Sequence, residues 1–110
     1  MEEADKKYAE EFLAIVQHMH ITIKRMLEAG NRASAMQLLE QCQSYAIRLG
    51  QRIESTEGET FSLVILLEDY CEIIYQIYEK IRCFLPVDAN DMHNRLAMQL
   101  IRIRNNMKNN

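Results

Sequence analysis

The densest run of reactive side chains in this 110-residue chain is Glu68-Asp69-Tyr70-Cys71-Glu72. It brings carboxylates, a phenol and a thiol together, groups that serve acid-base and nucleophilic chemistry when geometry and pKa allow. Helical spacing separates them. Tyr70 and Cys71 fall on the apolar side of the surrounding pattern, while Glu68 and Glu72 lie one turn apart outside it. A reactive thiolate needs a nearby cation or a helix N-terminus, and a mid-helix Cys71 among carboxylates has the opposite surroundings. Core packing therefore explains Cys71 better than catalysis does.

The histidines are the next candidates. A ferritin-like di-metal centre requires Glu-x-x-His on two helices, and His18, His20 and His93 each lack a Glu three residues earlier. No metal or other cofactor is expected. A histidine phosphotransfer module, the alternative to a non-catalytic reading, is a helical bundle of similar size with one exposed histidine; here it would act through His20. Such a histidine is typically followed closely by Lys and Gly, whereas Lys24 comes four residues after His20 and Arg25 follows it. His18 and His20 lie about 200° apart on a helix, so at most one faces the core. The three glycines are too few for a nucleotide-cradling loop, and no strand pattern offers a nucleophile elbow.

Composition points the same way. With 48% apolar and 26% charged residues, the chain has the balance of one ordinary globular domain of 1–110. At a net charge of −3 it lacks the basic footprint of a nucleic-acid binder. Cys42, Cys71 and Cys83 are odd in number and widely spaced, which argues for buried thiols rather than a disulfide framework or zinc site. The charged start and the lack of a long apolar run predict neither export nor membrane insertion, and hence a cytoplasmic location.

Apolar residues recur at three- and four-residue steps in four segments, predicting an all-α, antiparallel up-down four-helix bundle with helices at about 3–29, 32–55, 60–84 and 91–106. Gly30 and Gly58 close the first two helices, Asn31 caps the second, and Thr60 or Glu59 starts the third. Gly50 interrupts the second helix at about 1 kcal/mol against Ala, and close approach of another helix would explain it. The third helix carries the widest apolar arc, marking it as central or as bearing a second contact surface. Pro86 breaks the chain after Phe84, and Asp88 or Asn90 caps the fourth helix. A tetratricopeptide-like arrangement is the second architecture, although no period near 34 residues recurs.

Charge is unevenly placed. Glu54 to Glu79 holds seven acids and no base, while Met92 to Asn110 holds Arg95, Arg102, Arg104 and Lys108 and no acid. Either acidic and basic helices pair within the bundle, or these faces dock onto something else. The second option makes Glu68, Asp69, Glu72, Glu79, Arg95, Arg102 and Arg104 the candidate interaction face. The partner would be a protein, either a second copy or a following domain.

The segments Leu38-Leu39-Glu40-Gln41-Cys42-Gln43-Ser44-Tyr45-Ala46-Ile47-Arg48-Leu49-Gly50, Glu57-Gly58-Glu59 and Leu66-Leu67-Glu68-Asp69-Tyr70-Cys71-Glu72 carry a resemblance. They resemble a helical N-terminal region of clostridial proteins whose later part looks like a CDP-glycerol glycerophosphotransferase or related glycosyltransferase. The closing Ile101-Arg102-Ile103-Arg104-Asn105-Asn106-Met107-Lys108-Asn109-Asn110 is similar to the segment leading into that part. The resemblance covers most of residues 31–110 and implies an accessory module that positions, dimerises or recruits a cell-envelope polymer enzyme. It transfers no catalytic residue, because the transferase's histidines and phosphate-binding residues have no counterparts here.

Overall fold

The four apolar stripes become four α-helices: α1 (Glu3–Glu28), α2 (Arg32–Glu54), α3 (Phe61–Arg82) and α4 (Ala89–Lys108). The structure, a computed structural model, describes residues 2–54 and 61–108. Around the bundle each helix packs on its two sequence neighbours, α1 also meeting α4. The helices run antiparallel, as contacts at their ends show. The start of α1 meets the end of α2 where Asp5 Oδ1 accepts from Arg52 Nε at 2.7 Å. The start of α2 meets the end of α3 where Arg32 Nη2 donates to the Leu85 carbonyl at 2.7 Å. The result is the expected all-α four-helix bundle, 43 Å long and 17–19 Å across.

The core runs the length of this bundle. Val16 and Ile23 from α1, Leu39 and Leu49 from α2, Leu63 and Ile74 from α3, and Leu96 and Ile103 from α4 are almost wholly buried. Each such side chain contributes roughly 1.5–3 kcal/mol relative to exposure. Helix α3 is no more central than the others, since it too has two neighbours. Its wide arc instead spills onto the surface at Phe61, Ile65 and Tyr75, which are 75%, 39% and 51% exposed.

Two helices end in the same way. At the end of α1 the Asn31 N–H bonds the Met26 carbonyl and Gly30 N–H bonds that of Leu27, with Gly30 at φ 77°. At the end of α3 the Leu85 N–H bonds Lys80 and Phe84 N–H bonds Ile81, with Phe84 at φ 59°. Both are Schellman motifs, and Phe84 occupies the position normally given to glycine. This corrects the expected end of α3, since the apolar pattern reaches Phe84 but the helix stops at Arg82. Helix α4 starts earlier than expected because Asp88, rather than Asn90, is its cap: Asp88 Oδ1 accepts from the Asp91 N–H at 2.9 Å. It also runs on to Lys108, carried by buried Met107. The expected joint at Gly58 and the start at Thr60 or Glu59 lie outside the described residues.

The expectation of buried thiols holds for one cysteine: Cys42 is buried, Cys71 is half-buried and Cys83 is exposed. Gly50 is also explained differently. A Cβ placed there meets nothing within 4 Å, so no helix presses against it.

Candidate functional site

The groups with most chemical potential meet inside the bundle. His20 follows Val16 by four residues and precedes Ile23 by three, so it sits on the inward stripe of α1 and is 2% exposed. Tyr70 occupies the equivalent stripe of α3. His20 Nε2 and the Tyr70 hydroxyl lie 2.6 Å apart, a hydrogen bond across the diagonal of the bundle. Phe12 packs edge-on against the same phenol ring at 5.9 Å between centroids. From α2, the Cys42 thiol donates to Met19 Sδ at 4.0 Å.

Electrostatics keep this cluster neutral. Burial, with His93 nearby, lowers the pKa of His20 to about 4. Burial pushes the Cys42 thiol up to about 11 and holds the Tyr70 phenol well above its ordinary value. A thiol so far from ionisation is a poor nucleophile, and His20, 2% exposed with its Nε2 bonded to Tyr70, presents little surface to a phosphoryl donor. The phosphotransfer reading calls for an exposed histidine, and His20 is buried. Cys71 is likewise raised to about 11 by burial and by Glu68. The run Glu68-Asp69-Tyr70-Cys71-Glu72 is split: Tyr70 turns inward and is fully buried, while Glu68, Asp69 and Glu72 face solvent.

The seven charged candidates fall into separate groups. Glu79 is held by Arg82 on its own helix, at 2.6 and 2.9 Å, which lowers its carboxyl pKa. Arg104 turns toward α1, where with Gln17, Ile21 and Ile101 it lines a separate groove. Glu68 lines the groove between α2 and α3. The remaining four, Asp69, Glu72, Arg95 and Arg102, share the face formed by α3 and α4. Helical spacing sets Ile65, Asp69, Glu72 and Gln76 in one row of α3, and Arg95, Met98 and Arg102 in one row of α4.

The rows stand at the same level. Gln99 Nε2 donates to the Leu66 carbonyl at 2.8 Å, and Arg95 Nη2 donates to Gln76 Oε1 at 3.2 Å. The expected pairing of acidic and basic helices is nevertheless not made by ion pairs. Among the described residues the ion pairs are Arg52 with Asp5 and Arg82 with Glu79, neither of which joins α3 to α4. Glu72 instead accepts from Gln76 at 3.4 Å, and Arg102 donates to Gln99 at 3.2 Å. Gln99 is thus a joint between α3 and α4 that the charge pattern did not reveal. Its signal is a polar residue between Leu96 and Ile103 on the inward stripe.

A second surface feature is the groove between α2 and α3, with a volume of about 370 Å³. Gly50 lies on its α2 side, and Glu54, Glu68 and Glu72 are its charged residues. Among the described residues, no three His, Cys, Asp or Glu side chains gather in a way that could hold a metal ion. Nor is any helix there long and apolar enough to cross a membrane. Compared with known proteins, the chain matches no protein-family model, no curated protein and no solved structure.

Proposed function

We propose that this chain is a non-catalytic helical association module that pairs with a second copy of itself through the face formed by α3 and α4. The observation that carries this reading is the side-by-side placement of an acidic row and a basic row at one level, with no ion pair joining them. A dyad parallel to the bundle axis would lay α3 of one copy over α4 of the other. Asp69 and Glu72 would then stand opposite Arg95 and Arg102 twice, without any sliding. A dyad across the bundle would set like charges together, so the pattern selects one orientation. Ile65 and Met98, 39% and 51% exposed, supply apolar contact within the same face. A bundle face of 43 by 17–19 Å offers roughly 800 Å² per partner, the size of a standard stable interface. The resemblance to a region preceding transferase-like domains supplies a setting, in which pairing would bring two copies of a cell-envelope polymer enzyme together.

A reciprocal charge swap tests the pairing. Asp69→Lys/Glu72→Lys should be monomeric, and so should Arg95→Glu/Arg102→Glu, because each places like charges opposite one another. An equimolar mixture of the two should form a heterodimer by sedimentation or light scattering. Two monomeric variants that ignore each other would contradict the proposed orientation, and dimers in both would contradict the face.

A further inference from the structure

We infer that the groove between α2 and α3 is a docking site for a basic amphipathic helix of a partner protein. It lies on the α2 side of α3 and shares only Glu72 with the face formed with α4, and a monomeric chain retains it. Its lining is apolar along the middle, from Ala46 and Ile47 on α2 and Leu67 and Cys71 on α3, with Val64 at one end and the half-exposed Tyr75 at the other. The α2 and α3 stretches that line it each span eleven residue steps, about 17 Å or three helical turns. That length suits a short helix presenting apolar residues at i, i+3, i+4 and i+7.

Gly50 supplies the independent observation. A glycine within a helix costs roughly 0.5–1 kcal/mol relative to alanine, and packing does not require it here, since an added Cβ meets nothing within 4 Å. What the missing side chain does is keep the middle of the groove open. Charge identifies the occupant. Glu54, Glu68 and Glu72 line the groove and, among the described residues, no Lys or Arg does. An incoming helix flanked by lysine or arginine would find complementary charge, while an acidic one would be repelled.

The test uses two synthetic amphipathic peptides of about 14 residues, one with leucines on one face and lysines on its flanks, the other with glutamates replacing the lysines. Binding is followed by titration calorimetry, and its location by amide chemical-shift changes on the labelled protein. The Leu/Lys peptide should bind at least about tenfold tighter than the Leu/Glu peptide, with shifts centred on Ala46, Ile47, Val64 and Cys71. Gly50→Leu, which plugs the groove, should weaken binding about tenfold while circular dichroism shows an intact fold. Should that variant not fold, Glu54→Gln/Glu68→Gln alters only exposed groups and should weaken binding severalfold. Equal binding of the two peptides, shifts centred on another face, or unchanged affinity in the folded variants would overturn the site.

Discussion

Phe84 sits 89% exposed in a left-handed backbone conformation, at φ 59°. Left-handed geometry costs an L-residue roughly 1–2 kcal/mol, and so little buried surface offsets none of it. Phe84→Gly should therefore raise stability by about 1 kcal/mol, read as a higher urea midpoint with an unchanged slope; an equal or lower midpoint would show that Phe84 makes up the cost elsewhere. His20 makes the second prediction at this scale. Its folded pKa, near 4, lies below its ordinary 6.5, so the unfolded chain binds the proton first as pH falls. Stability attached to His20 is full above about pH 6.5 and is lost as pH drops toward 4. The shift corresponds to about 3 kcal/mol. His20→Gln should flatten this part of the stability curve relative to wild type in urea unfolding at pH 7 and 4.5, and parallel curves would contradict it. The sequence placed at most one of His18 and His20 toward the core without choosing between them, and it is His20 that takes the inward place between Val16 and Ile23. Its bond to Tyr70, fifty residues away, was not legible, because periodicity assigns a face but not a partner across the bundle.

At the scale of elements, the apolar stripes identified all four helices, because each had to bury one face against its neighbours. The ends were less legible where local chemistry competed with periodicity. Phe84 continues the apolar pattern of α3, yet Pro86 and the Schellman motif stop the helix at Arg82. The end of α3 is reinforced from outside, since Arg32 donates to the Leu85 carbonyl at 2.7 Å and, at longer range, to those of Ile81 and Lys80. A cation on the last carbonyls of a helix also complements its dipole. Gly50 shows the limit of sequence reading in another way. A helix glycine signals close packing or open space equally well, and only the empty surroundings decide for the second. Gly50→Ala should accordingly stabilise the chain by roughly 0.5–1 kcal/mol, seen as a higher thermal midpoint. Destabilisation would reveal a close contact on that side of α2.

For the molecule as a whole, the charge asymmetry was plain in the sequence, but its use was not. Two adjacent helices of opposite charge would ordinarily be expected to satisfy each other. Instead Arg95 reaches Gln76 and Arg102 reaches Gln99, leaving Asp69 and Glu72 without an arginine partner among the described residues. Long side chains on neighbouring helices took amide partners at the helix seam, a choice that depends on level and rotamer rather than on composition. The neutral interior argues in the same direction, because burial silences the thiol, phenol and imidazole that catalysis would need. On the proposed reading, function rests on surfaces, and the first of these is the α3 and α4 face. Sedimentation equilibrium of the unmodified chain at low salt, across a wide concentration range, tests that claim most directly. The mass should rise with concentration toward twice the 13.0 kDa of one chain and level off there. A mass that stays at one chain at the highest concentration would contradict self-association.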